Sequence, residues 1–117
     1  MKYETIHTLT LPKLGFGTWK IGGRSSADPS TDSVSLAALH SALDLGYIHF
    51  DTAEMYANGH SEELLGKAIR TSKIKREDLF ITSKVMPSHL KYEQVLNSCE
   101  NSLRRLGMDY LDLYLIH

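Results

Sequence analysis

The chain has 117 residues, of which 42% are hydrophobic and 23% charged, and its formal net charge is -1. Length and composition fit one globular domain, and the lack of any run of Lys or Arg argues against a nucleic acid or a membrane surface as partner. No apolar stretch approaches the ~20 residues that cross a bilayer, the start MKYETIHTLT has no signal-peptide core, and the single cysteine, Cys99, rules out an intrachain disulfide, so a cytoplasmic protein is expected.

The first segment, YETIHTLTLPKL from Tyr3 to Leu14, alternates and carries Pro12, which predicts a short hairpin. LGFGTW, Leu14 to Trp19, reads as a strand whose glycines let the backbone approach something closely. IGGRSSADPSTD, Ile21 to Asp32, is rich in Gly, Ser, Asp and Pro and reads as a long flexible loop. From Ser30 to Leu45 the spacing of Leu36, Leu39 and Leu43, supported by Ala38 and Ala42, predicts a helix. Gly46 is placed to end it. YIHFD, Tyr47 to Asp51, is a short apolar strand. After the loop AEMYANGH, Ser61 is the expected N-cap of a second helix, with two acids next and Leu64, Leu65, Ala68 and Ile69 on its apolar face. A strand follows over Leu79 to Lys84, then a turn at Pro87 and Ser88. A third helix is expected over Lys91 to Leu106, with Val95, Leu96, Cys99, Leu103 and Leu106 on one face and Gly107 as its stop. YLDLYLIH, Tyr110 to His117, reads as the last strand.

Strands alternating with helices imply parallel strands with helices packed outside. The nearly continuous apolar character of the later strands agrees with a sheet covered on both faces. Such sheets place chemistry at the carboxyl ends of their strands. Here those ends hold Gly17, Thr18 and Trp19, then Asp51 with Tyr56 in the next loop, then Lys84, then His117. Strand alternation puts Asp51 on one face with His49 and Tyr47, Lys84 with Thr82 and Phe80, and His117 with Leu115 and Leu113. Those faces suit a barrel interior with three polar groups at its mouth. Taken singly, Asp51 reads as a turn residue, Tyr56 as a half-buried aromatic and His117 as a hydrogen-bonded histidine. Lys84 alone would usually be solvated, but a lysine following an apolar strand is the odder case. Their convergence on one rim favours a site. His49 and Cys99 read as structural, and the scattered histidines give no metal-ligand spacing.

A phenol is a weak proton donor near neutrality. A cation beside it stabilises the phenolate, and Lys84 is placed to be that cation. Burying Lys84 calls for an anion, which Asp51 supplies. His117 is suited to orient a substrate oxygen. The set fits protonation of a carbonyl oxygen while its carbon accepts hydride. No side chain supplies hydride, so a nicotinamide cofactor is the expected source. GFGTWKIGG does not open a helix directly, which weakens a dinucleotide-fingerprint reading.

Four stretches together carry a resemblance: LPKLGFGTW, GYIHFDTAEMY with GHSEELLGKAI, REDLFITSKV, and NSLRRLGMDYLDLYLIH. In this order, from about Leu11 to His117, the chain resembles the aldo-keto reductase family. The resemblance implies a TIM barrel and reduction of aldehydes or ketones with NADPH, NADH being the alternative. It places the family's catalytic tetrad on Asp51, Tyr56, Lys84 and His117. It places cofactor contacts on Gly17, Thr18, Trp19 and Asp51, with Trp19 also walling the substrate pocket. Ala57 stands where many members have glycine.

A TIM barrel takes ~250 residues, so the expectation is the N-terminal half of one, truncated after the fourth barrel strand. Strands five to eight and the site for the adenosine phosphates would then lie outside the chain. The half alone is expected to expose apolar edges, to bind NADPH poorly and to be inactive. Two other readings share the fold: a cofactor-sensing regulatory subunit, and a non-catalytic half-barrel that pairs with a copy of itself. The expected partner is a small carbonyl compound; oligomeric state is not legible.

Overall fold

The computed structural model describes residues 1–117. Strands β1 (Tyr3–Ile6) and β2 (Leu9–Pro12) form the expected antiparallel hairpin, with Tyr3 opposite Pro12. A separate parallel sheet follows, in the order β3 (Phe16–Gly17), β4 (His49–Asp51), β5 (Phe80–Val85) and β6 (Leu113–Ile116). Between its strands run α1 (Asp32–Asp44), α2 (His60–Arg70) and α3 (Tyr92–Leu106). Each of β3, β4 and β5 is therefore followed by a helix and then by its own spatial neighbour. No helix is long and apolar enough to cross a membrane.

The core lies between the sheet and the helices. Leu39, Ala42 and Leu43 of α1 and Leu64, Leu65, Ala68 and Ile69 of α2 meet Phe50 and Ile81 of the sheet, with Leu79 and Leu106 closing the cluster. Burial of a side chain such as Phe50 or Leu65 stabilises the fold by about 1.5–3 kcal/mol each, which is why the leucine spacing of α1 and α2 predicted their inner faces. Gly46, at φ 87°, follows the end of α1, and Gly107, at φ 66°, caps α3, a left-handed backbone that glycine adopts without strain.

Several expectations are corrected. Three strands are shorter than read: β3 and β4 keep two and three residues and β6 four, because flanking residues turn away into loops. Tyr47 precedes β4 and packs edge-on against Phe16 at 5.9 Å, on the core side, so strand alternation does not reach it. The stretch Ile21 to Asp32 is tied down rather than loose. Gly22 N–H donates to Ser35 Oγ, Asp28 N–H to Gly22 O and Ala57 N–H to Arg24 O, and a short 3-10 turn at Pro29–Thr31 leads into α1.

Ser61 is not the N-cap of α2. The cap lies two residues earlier, at Gly59 with φ 92°, and the Ser61 hydroxyl is shared between the carbonyls of Thr18 and Ile21 at 2.9 and 2.5 Å. In α3 the buried line is Ser98, Ser102 and Leu106; Val95, Cys99 and Leu103 are half-buried and Leu96 exposed. Two serines have outward-seeking hydroxyls, yet both find polar partners in the packed layer: Ser98 meets His89 and Ser102 receives Arg105 Nη2. Cys99 is thus at the edge of the core, and burial pushes its thiol pKa up.

Candidate active site

Parallel pairing sets Gly17 beside Asp51, Asp51 beside Thr82, and Lys84 beside Leu115. The carboxyl ends of β3, β4 and β5 therefore finish on one rim. His117 lies just past β6, and its N–H continues the ladder to Val85 O at 3.0 Å. All four residues of the expected tetrad meet there.

Lys84 is the centre. Its side chain is 13% exposed and its Nζ donates to Asp51 Oδ2 at 2.7 Å, to Thr52 O at 2.9 Å and to Tyr56 OH at 3.2 Å. Charge-assisted bonds of this length are the strong kind, and they let an ammonium stand in a partly buried place. Asp51 Oδ1 has no protein partner, and the side chain is 36% exposed.

Tyr56 opens a 3-10 turn, Tyr56–Gly59, in which Ala57 and Asn58 take the left-handed region at φ 49° and 53°. That sharp reversal presents the phenol to Lys84 instead of burying it in α2. Two aromatic edges steady the ring. Trp19 stands 5.1 Å from it and His117 5.6 Å, with interplanar angles of 63° and 82°. The His117 imidazole is exposed and makes no hydrogen bond.

The remaining expected residues divide. Trp19 is half exposed, and a side chain at Gly17 would meet nothing within 4 Å. Thr18 is fully buried; its hydroxyl and its N–H both point to Asp51 O, at 3.2 and 2.9 Å. It holds Trp19 and Asp51 in place from behind. His49 packs on Phe80 at 5.1 Å and bonds Thr82 Oγ1 at 3.2 Å, as a structural histidine should. Burial lowers its pKa, against the pull of Asp51 and Asp112. The largest cavity, about 430 Å³, lies at the other end of the strands beside Arg70, Arg76 and Tyr110, so the tetrad occupies an open rim.

Sequence reasoning missed two buried carboxylates behind the rim. Glu62, the first acid of α2, receives Arg105 Nε and Ser83 Oγ, both at 2.6 Å. Glu54, between Asp51 and Tyr56, receives Met86 N–H at 2.8 Å. For Glu54 the cue was an acid flanked by small or apolar residues, TAEM; Glu62, between Ser61 and Glu63, had none. A third group, His60, bridges Asp32 and Glu63 at 2.7 and 2.8 Å, and the Glu63 bond leads in raising its pKa.

A parallel αβ arc with a lysine-centred acid–base cluster at its rim defines a class, and comparison with known proteins places the chain within it. A model of the aldo/keto reductase family matches residues 13–117, and the chain belongs to that family. It is 44% identical over 109 residues to methylglyoxal reductase YeaE of Escherichia coli K12, covering 93% of this chain and 36% of that one. It is 38% identical over 114 residues to a 9,11-endoperoxide prostaglandin H2 reductase of Trypanosoma cruzi, covering 97% and 36%. Among solved structures, the thermostable aldo-keto reductase Tm1743, in complex with the inhibitor epalrestat, superposes with a TM-score of 0.95 at 50% identity, over 100% of this chain and 43% of that one. An aldo-keto reductase of Klebsiella pneumoniae in complex with NADPH superposes with a TM-score of 0.81 at 39% identity, over 100% and 40%. The fold is accordingly the N-terminal half of a TIM barrel, and the chain spans about two fifths or less of the length of these relatives.

Proposed function

We propose that this chain provides the acid–base part of a carbonyl reductase that turns aldehydes or ketones into alcohols with NADPH, or alternatively NADH. The observation that supports it is the single ammonium of Lys84 bonded at once to the Asp51 carboxylate and the Tyr56 phenol. We read the domain as completed by further barrel strands, since relatives are more than twice as long.

Bound NAD(P)H supplies the hydride to the carbonyl carbon. Tyr56 gives its proton to the carbonyl oxygen, and Lys84 stabilises the phenolate left behind. Asp51 balances the charge of Lys84, so that the ammonium stays in place as the phenol ionises. His117, edge-on to the Tyr56 ring with its nitrogens free, orients the same carbonyl oxygen. The residues present fit a nicotinamide cofactor: Gly17 offers an open backbone, Trp19 an exposed ring face and Asp51 an unpartnered oxygen. Thr18 supports them from behind.

The test is NADPH oxidation by the complete protein with methylglyoxal and with a simple aromatic aldehyde. Tyr56→Phe is expected to lower kcat by about a hundredfold or more, with the fold intact by circular dichroism. Wild-type turnover in Tyr56→Phe would refute the assignment.

A further inference from the structure

Two loops deliver the reactive pair. Tyr56 hangs on the loop after β4, and Lys84 on the end of β5, which runs on into Met86 and His89. Their facing atoms stand 3.2 Å apart; the backbone bonds between the two segments run on through Thr52 N–H to Thr82 O and Glu54 N–H to Lys84 O, but none joins Tyr56 to β5, since its N–H turns back to Ala53 O. Beyond Glu54 the tyrosine loop is held by side chains rather than by the ladder.

Glu54 is buried, three positions after Asp51 and two before Tyr56. Its N–H reaches Lys84 O at 3.3 Å, and its Oε1 receives Met86 N–H at 2.8 Å. His89 Nδ1 stands 3.0 Å from the same oxygen and 3.1 Å from Ser98 Oγ of α3. The backbone of Glu54 thus joins the lysine strand, and its side chain ties the tyrosine loop to the first residue past β5 and, through His89, to a helix.

We propose that Glu54 is a positioning residue for proton transfer: it acts through Tyr56, setting the phenol against Lys84, and touches neither substrate nor cofactor. The proposal rests on the reductase reading given above. Both bonds end on one carboxylate oxygen, so what matters is an acceptor at that point rather than a charge. Glutamine keeps such an acceptor and alanine removes it.

The experiment compares Glu54→Gln and Glu54→Ala in the complete protein. Steady-state kinetics with methylglyoxal and NADPH are read per folded molecule. Misplacing a reacting group by about an ångström costs on the order of a hundredfold, so Glu54→Ala is expected to lower kcat about 10- to 100-fold with KM for both substrates within about threefold. Glu54→Gln is expected to stay within about threefold of wild type. In a Tyr56→Phe background, Glu54→Ala is expected to have no further effect on kcat.

A second readout needs no activity. Trp19 packs edge-on against Tyr56, so its fluorine resonance in fluorotryptophan-labelled protein, assigned by its loss in Trp19→Phe, reports the tyrosine loop. That resonance is expected to shift in Glu54→Ala and not in Glu54→Gln. Wild-type kcat in Glu54→Ala, equal impairment in both variants, or an unshifted Trp19 resonance in Glu54→Ala would each overturn the proposal. If the wild-type protein reduces no carbonyl, the reductase reading fails and the Trp19 resonance alone decides the role of Glu54. If Glu54→Ala does not fold, Glu54→Asp takes its place. Its carboxylate is one methylene short of Met86, and the same losses and shift are expected, wild-type values overturning the proposal.

Discussion

Replacing Glu62 by alanine removes a carboxylate whose side chain is 0% exposed while its partner, Arg105, is 25% exposed. Deleting one member of a buried ion pair costs about 3–5 kcal/mol. Arg105 can regain water along its exposed part, which places its share at the lower end. The Ser83 hydroxyl is fully buried and has no such route, adding about 1 kcal/mol. Glu62→Ala is therefore expected to lower the unfolding free energy by about 3–4 kcal/mol. Glu62→Gln keeps acceptors of the same shape and should lose about 1–2 kcal/mol. Replacing both residues by methionine leaves no stranded charge and should cost much less than the two single changes added together. Urea denaturation of the complete protein, followed by far-UV circular dichroism, measures all of these. The reasoning is refuted if Glu62→Ala costs under about 1 kcal/mol, or if the double methionine variant equals the sum of its singles.

Gly66→Ala should destabilise α2 against α3 by about 1–3 kcal/mol, because a Cβ there would stand 2.3 Å from Leu106 O, a backbone atom that cannot move aside cheaply; a thermal melt reads it. His60 titrates above 6.5 in the fold, so its contribution to stability is complete below pH 6.5 and is lost as pH rises through the higher folded value. The stability gap between wild type and His60→Gln should therefore shrink on the alkaline side of 6.5, as denaturant midpoints across pH will show. His49 is the reverse case: its folded pKa lies below 6.5, so its contribution is present above 6.5 and lost as pH falls, and His49→Gln should flatten the acid limb of the same curve. The 117-residue chain produced alone exposes Leu113, Leu115 and Ile116 on an unpaired edge strand, so it should self-associate on size-exclusion chromatography and lack micromolar NADPH affinity in a fluorescence titration; a soluble monomer that binds NADPH would count against this.

The parts of the fold that sequence made plain are those where apolar side chains repeat. Leu39, Leu43, Leu64 and Leu65 predicted the inner faces of α1 and α2 because hydrophobic burial depends on position along a single helix. The rim was legible for a similar reason. Asp51 and Lys84 close apolar strands, where a charge is costly without a partner, and the structure pairs them. What stayed hidden was polar burial. Glu62 and Arg105 are 43 positions apart, and nothing local to either marks it as inside. Ser61 has the composition of a cap, yet its hydroxyl is used by carbonyls 43 and 40 positions earlier. Ser98 and Ser102, which the structure buries, lie outside the apolar face read for α3 for the same reason: a hydroxyl's surroundings are decided by tertiary partners that no helical period encodes.

An ammonium has three protons, and Asp51, Thr52 O and Tyr56 accept from Lys84 in the folded chain. The lysine is thus a closed node with nothing left to offer an incoming molecule. A carboxylate, phosphate or carbonyl brought to the rim would find no free proton on it. What Lys84 does at the rim it therefore does through Tyr56, whose ring is the one neighbour that His117 and Trp19 also face.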